Sequence, residues 1–338
     1  MNAQVHYHCR MSIEISFAQK EYLLWRAGQG YSLHTTSNDK TAFMVMNRVL
    51  GAHADIAAVT QESVHRILGI AAETRSPASV NNIHASLSGF FKWGRMVKYL
   101  TPDNDPLLGL RYRKVPTQES TRIPLSDFPL LLDSADNPRD RILVATGLYL
   151  FLRTSEVEPL RIRDLKLDEG TVSATIYKTG DHDVMPISSE YDRELRRWLS
   201  HYAASCGELK PHWYLIPAKL RGNNKEREAY APEVKISHTE RHIERTLTNM
   251  GWDKGTSRIG MHLLRKSGAR AWFDELNNQT VDGALKIVQA HLHHKSVVMT
   301  ERYLGLTADR VKRDRILRGE SMFPSLTGEN VIHLRKSG

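Results

Sequence analysis

The stretch from Ser76 to Leu100, SPASVNNIHASLSGFFKWGRMVKYL, constrains this chain most. Ser76 suits a helix N-cap, and Pro77 follows at the first helical position, where an N–H would have no partner anyway. Val80, Ile83, Leu87 and Phe90 then recur at helical spacing. A helix with one apolar stripe must bury that stripe against neighbours. The preceding sequence supplies them. FAQKEYLLWRA stops at Gly28 and Gly30, NDKTAFMVMNRVLG ends at Gly51, and TQESVHRILGIAA is preceded by a capping Thr60. Residues 13–100 are therefore expected to form a helical domain behind a loose tail, residues 1–12.

Periodicity then fails. TPDNDPLLGLRYRKVPTQESTR is rich in Pro, Asp, Asn and Gly and ends in a basic run, so 101–120 is expected to be an exposed interdomain linker. PLSDFPLLLDSA restarts as a helix capped by Ser126, and RDRILVATGLYLFL is apolar enough to be a central buried helix. TVSATIY and DVMPIS alternate like strands on either side of KTGDH, a hairpin signal. KLRGNNKEREAYAPE reads as a surface loop. From Glu240 onward the pattern is again mostly helical. The expected architecture is mainly α: a small helical domain, a linker, and a larger α+β domain, residues 121–310, that is mostly helical with a small antiparallel sheet. Residues 311–338 are left as a C-terminal tail.

Across 338 residues the net charge is +9, with a pI near 9.5. That balance favours a polyanionic partner, with nucleic acid first and an acidic membrane surface second. Lys92, Arg95 and Lys98 lie near the far end of the Ser76–Leu100 helix. With Arg111, Arg113 and Lys114 of the linker, they are the candidate contacts to a phosphate backbone. Cys9 and Cys206 make no disulfide framework and no Cys-x-x-Cys, which fits a reducing cytoplasm. The N-terminus lacks a signal-peptide apolar run, and no stretch approaches a membrane span.

Tyr303 ends HLHHKSVVMTERY. A tyrosine near a helix end usually packs as an amphipathic side chain. A phenol that attacks phosphorus needs a base or strong positive charge, because its ordinary pKa is about 10. The phosphate oxygens suit paired guanidinium groups, and the leaving alkoxide needs an acid. The sequence contains this set. Arg153 follows the buried helix, with Glu156 nearby as a salt-bridge partner. Lys178 stands at the hairpin turn, His262 and Arg265 share a helical face at i and i+3, and His294 precedes Tyr303 by nine residues. The histidines of QAHLHHK are poorly spaced for a metal site, and no carboxylate cluster accompanies them.

Taken in order, RTSEV at Arg153, KTG at Lys178, HLLR at His262 to Arg265 and HKSVVMTERY at His294 to Tyr303 resemble the tyrosine recombinase, or phage integrase, family. The resemblance covers roughly residues 13–310. Two departures are visible. Thr146-Gly147 lies further before Arg153 than the family usually places it. His293 occupies the position before the last-box histidine, where the family often has glycine. Spacing to Tyr303 favours His294 as the box histidine, with His293 as the alternative.

The resemblance implies a site-specific recombinase of a phage or mobile element. Tyr303 would attack a scissile phosphate, leaving a 3′-phosphotyrosyl link and a free 5′-hydroxyl. Arg153 and Arg265 would hold the phosphate oxygens, and His262 would assist proton transfer at the tyrosine. His294 would hydrogen-bond the phosphate, and Lys178 would protonate the leaving oxygen. No cofactor, metal or ATP is implied. The implied partners are double-stranded DNA attachment sites, clamped between the two domains, and a homo-tetramer spanning two of them. Host DNA-bending or directionality factors are further candidate partners. The tail after Tyr303 would cap its own domain or dock on a neighbouring protomer. Too few residues precede residue 13 for the arm-binding domain of the larger integrases, which implies recognition of core-type sites only. A topoisomerase-like enzyme that cleaves and relaxes DNA, and a DNA-binding regulator on the same scaffold, are the competing readings.

Overall fold

The computed structural model describes residues 12–115, 121–176, 182–220, 230–252, 260–276 and 281–306. The chain divides into two compact units, Met1–Thr117 and Gln118–Gly338.

The first unit is built from α1 (Ile15–Gly28), α2 (Leu33–Leu50), α3 (Gln61–Thr74) and α4 (Pro77–Met96). The caps follow the local chemistry: Ser32, Thr60 and Ser76 each accept a hydrogen bond from the backbone N–H three residues on. Helix α2 begins well before the Asn38 that the sequence pattern suggested, because Ser32 caps it there. Helix α4 stops at Met96. Lys98 takes a left-handed φ of 65°, and the Tyr99 and Leu100 N–H groups close back onto the Gly94 carbonyl. The core joins Tyr22, Phe43, Met46, Leu87, Phe90 and Phe91. Tyr22, Phe43 and Phe90 meet edge to face, with centroids 5.0–6.0 Å apart.

The expected exposed linker is corrected over its first part. Residues 101–113 are strapped onto the helical unit. Pro106 and Leu107 are buried, Gln61 Nε2 donates to the Leu108 carbonyl, and Asn104 Nδ2 donates to the Ala57 carbonyl. Asn81 clasps the backbone of Arg113, donating to its carbonyl at 2.9 Å and accepting from its N–H at 2.8 Å. A Pro/Asp/Asn/Gly composition reports missing periodicity, whereas packing depends on the few apolar residues such a segment carries.

The second unit begins with a 3-10 turn, Leu125–Asp127, that runs into α5 (Phe128–Asp133). Ser126 makes no helix cap and instead donates to Asp127. Helix α6 (Pro138–Tyr149) is the buried centre, capped by Asn137. The short α7 (Thr154–Val157) follows. Strands β1 (Leu165–Lys166), β2 (Thr171–Thr175) and β3 (His182–Pro186) form an antiparallel sheet in that order, with Val172 opposite Met185 and Ala174 opposite Asp183. The expected hairpin strands are therefore present, but KTGD lies outside the described residues. Helix α8 (Ser189–Cys206) leads to a second antiparallel pair, β4 (Pro217–Lys219) and β5 (Tyr230–Lys235). The segment read as a surface loop thus ends in a strand. Glu233, Val234 and Lys235 at the far end of that strand are exposed, while Tyr230 is buried in the domain core.

The remaining helices are α9 (Thr239–Asn249), α10 (Met261–Leu276), α11 (Val281–His291) and α12 (Val297–Leu304). Helix α10 packs on α6 so closely that glycine is required at Gly268. A Cβ there would lie 1.8 Å from the Leu148 carbonyl oxygen. A satellite core of Phe151, Phe273, Leu285, Val288, Leu292 and Leu304 ties α10, α11 and α12 together, and Tyr303 packs against it. Among the described residues no helix is long and apolar enough to cross a membrane.

Candidate active site

Arg265 lies on the face of α10 that turns inward, and its side chain is 2% exposed. A buried guanidinium must have its donors satisfied. Arg265 donates through Nη1 to the Phe151 carbonyl and through Nη2 to the Leu292 carbonyl at 2.9 Å. Phe151 presents its carbonyl from a left-handed conformation, φ 51°. Burial lowers the pKa of the Arg265 guanidinium. Tyr303 opposes this, Arg153 adds to it, and the Glu156 carboxylate opposes it.

Glu156 is fully buried and joins the two arginines. Its Oε1 takes Arg153 Nη1 at 2.8 Å, and its Oε2 takes the Arg153 backbone N–H at 2.8 Å and lies 3.7 Å from Arg265 Nη1. The side chain of Arg153 remains 36% exposed. One arginine is thus sunk and fixed, while the other reaches toward solvent. Both are oriented by one carboxylate.

Tyr303 completes the group. The Arg265 guanidinium carbon lies 6.0 Å from its ring centroid. His262 and His294 meet the same ring edge to face, each 5.2 Å away, at interplanar angles of 83° and 78°. The phenol oxygen is buried and makes no hydrogen bond of good geometry among the described residues. Burial pushes its pKa up to about 12, against the pull of the nearby Arg265 and Arg153 charges. It is therefore a neutral phenol near neutral pH, and ionising it requires a proton acceptor.

His294 is held by an Nδ1 contact of 3.1 Å with Thr300 Oγ1, and its carbonyl accepts from Gln289 Nε2 at 3.0 Å. His293 points elsewhere, toward Asp183 on β3, with Nε2 3.1 Å from Oδ2. Of the two adjacent histidines, His294 is the one against the tyrosine. An open cleft of about 440 Å³ is lined by His262, Lys266, His294, Val298, Met299, Arg302 and Tyr303. Lys266 was not singled out from the sequence, although it stands at i+4 from His262 and so on the same face. Burial pushes its ammonium pKa down, and Arg122 adds to the effect. Thr300 was also missed, since a helix-interior threonine carries no sequence signal of its partner.

The structure therefore brings together Arg153, Arg265, His262, His294 and Tyr303. Lys178 lies outside the described residues. Among the described residues no cluster of three or more His, Cys, Asp or Glu side chains could hold a metal ion. In the helical unit, Lys92 and Arg95 line one cleft of about 580 Å³ with Tyr22 and Trp25, and Arg95 is ion-paired to Asp105 at 3.1 Å. Arg111 and Arg113 line another cleft, of about 420 Å³. Lys98 and Lys114 are exposed.

Comparison with known proteins places this site in a family. The profile of the phage integrase family matches residues 122–310, more than half of the chain. This chain belongs to the phage integrase family. A tyrosine recombinase of Pseudothermotoga lettingae is 27% identical over 233 residues, covering 69% of this chain and 71% of the relative. Tyrosine recombinase XerC of Xanthomonas axonopodis pv. citri is 26% identical over 252 residues, covering 72% and 74%. In fold, the family member resembles a lambda integrase dimer bound to a COC′ core site, with a TM-score of 0.67 at 17% identity over 87% of this chain and 77% of that one. It also resembles XerH site-specific recombinase bound to a palindromic difH substrate, with a TM-score of 0.63 at 15% identity over 90% and 85%.

Proposed function

We infer that the protein is a site-specific DNA recombinase that cleaves and rejoins strands through a 3′-phosphotyrosine. The observation that carries this reading is Tyr303, set edge-on between two imidazoles and beside two guanidinium groups cross-linked by a buried carboxylate. The relatives named tyrosine recombinase support it.

Tyr303 Oη attacks phosphorus, its proton leaving through His262. The bond from phosphorus to the 5′ oxygen breaks. Arg153 and Arg265 bind the non-bridging oxygens, where charge accumulates in the transition state, and His294 donates to the same phosphate. Lys178 protonates the departing 5′ oxygen. The phosphotyrosine conserves the phosphodiester's energy, so a 5′-hydroxyl from a second duplex reverses the step and joins new strands without ATP. The +9 charge supports a duplex DNA partner held through its phosphates. Lys92, Arg95, Lys98, Arg111, Arg113 and Lys114 are the proposed contacts from the helical unit. A tetramer on two attachment sites, in a cytoplasmic setting and aided by host bending or directionality factors, is the working assembly.

Two duplexes of different length, each carrying the site, provide the test. With chelator present and no ATP, recombinant strands of intermediate length are expected. Relaxation of supercoiled DNA with no joining between duplexes would instead assign a topoisomerase-like activity. Binding with neither would assign a regulator.

A further inference from the structure

Lys266 follows Arg265 on α10, and the two side chains serve different surroundings. Arg265 turns inward, to the carbonyls of Phe151 and Leu292. Lys266 is rotated from it by about 100° around the helix and shares the face of His262, one turn earlier. It is partly buried, and it lines the cleft that also holds His294, Arg302 and Tyr303.

A second cation is held beside it. The segment before the 3-10 turn runs against α10, where the Ile123 N–H donates to Ser267 Oγ at 2.8 Å. Ile123 and Ser267 are each 1% exposed, so the contact is fixed in the core. It brings Arg122, which is exposed, close to Lys266, the residue before Ser267. Burial pushes the Lys266 pKa down, the Arg122 charge adds to the effect, and no carboxylate among the described residues opposes them. Two cations held together without a counter-ion repel each other, and an anion from outside the protein removes that repulsion. The charges acting on the Tyr303 phenol come from Arg265 and Arg153. Lys266 and Arg122 therefore form a separate pair at the same cleft, available to a different anion. In a DNA strand whose scissile phosphate lies on the two buried-carboxylate arginines, the next anion along is the adjacent phosphate.

We propose that Lys266 and Arg122 together bind a phosphate adjacent to the scissile one on the cleaved strand, holding that strand in register for attack by Tyr303. The inference rests on the recombinase reading and adds two residues to the substrate contacts. The pair acts in two ways. It fixes the strand through a phosphate contact that carries no sequence information. It also neutralises a charge that would otherwise oppose the negative charge passing from the attacking oxygen to the phosphate.

The test uses the full-length protein, K266Q, R122Q, the double variant and K266R. Duplex binding against salt concentration needs no cleavage. The slope of log K against log salt should fall by about 0.9 in the double variant, which frees one phosphate, by part of that in each single variant, and not in K266R. Single-turnover cleavage of a nicked site duplex then locates the contact, using a neutral methylphosphonate at each phosphate flanking the cleavage position in turn. Wild type should be about tenfold slower with the neutral link at one of the two neighbours. K266Q should be about tenfold slower on the ordinary duplex, and no slower again on that neutral link. Arg122 is exposed, so R122Q should show the same pattern with no change in core packing. An unchanged salt slope in the double variant would overturn the proposal. So would K266Q and R122Q variants that cleave at the wild-type rate, or that still lose the full tenfold at the neutral link. If wild type forms no adduct while the double variant's slope falls by about 0.9, the recombinase reading fails and the phosphate site stands.

Discussion

Replacing Glu156 by alanine should disable the protein twice over. Arg265, with 2% of its side chain exposed, would keep its two carbonyl contacts and lose the carboxylate 3.7 Å from its Nη1. Removing one partner of a buried pair leaves an uncompensated charge, and here a loss of about 3 kcal/mol is expected, lowering the Tm by roughly 10 °C. Arg153 would lose its side-chain anchor and the acceptor for its backbone N–H at the start of α7. On the proposed mechanism, in which Arg153 and Arg265 bind the phosphate, misplacing them should slow single-turnover cleavage by at least about 100-fold. Glu156→Gln keeps the shape and the acceptor but not the charge, and should fall between. Thermal melts and cleavage assays on the three proteins check this, and an E156A protein with wild-type Tm would show that the carboxylate does not compensate the arginines.

Gly268→Ala is the second large effect. The added methyl would meet the Leu148 carbonyl oxygen at 1.8 Å, the Leu148 carbonyl carbon at 2.8 Å and Phe151 Cε1 at 2.6 Å. Backbone cannot rotate aside as a side chain can, so α10 must separate from the end of α6. The expected loss is about 3 kcal/mol. The damage would spread to chemistry, because the displaced segment includes the Phe151 carbonyl that receives Arg265. Gly147→Ala supplies the contrast. Its nearest obstacles are side-chain atoms, Met261 Sδ at 2.7 Å and Leu264 Cδ1 at 3.0 Å, which can shift, so roughly 1 to 2 kcal/mol is expected. Equal melting temperatures for the two variants would contradict this account of α6–α10 packing.

Much of this organisation is legible in the sequence where local chemistry decides it. Thr60 and Ser76 cap their helices because a hydroxyl three residues before a free N–H does so in most contexts. His262 and Arg265 are separated by one helical turn, but only the tertiary structure turns Arg265 inward and leaves His262 exposed. The strapping of residues 101–113 was not legible. It depends on Asn81 and Gln61, polar residues of other helices, meeting backbone groups 32 and 47 positions away. The His293–Asp183 contact was hidden for the same reason, since 110 positions separate the partners in sequence. Glu156 could be read as a partner for Arg153, but its reach to Arg265 requires α10 to lie beside α7.

The central claim is that the Tyr303 phenol becomes the covalent link to DNA, and trapping that link tests it most directly. Wild-type protein and Tyr303→Phe should be incubated, with chelator present, with nicked DNA from the region flanking the gene and resolved on a denaturing gel. The account predicts a covalent protein–DNA band with wild type and none with Tyr303→Phe, although both bind the duplex. A band of equal intensity from the phenylalanine variant, or none from wild type on DNA that it demonstrably binds, would contradict it.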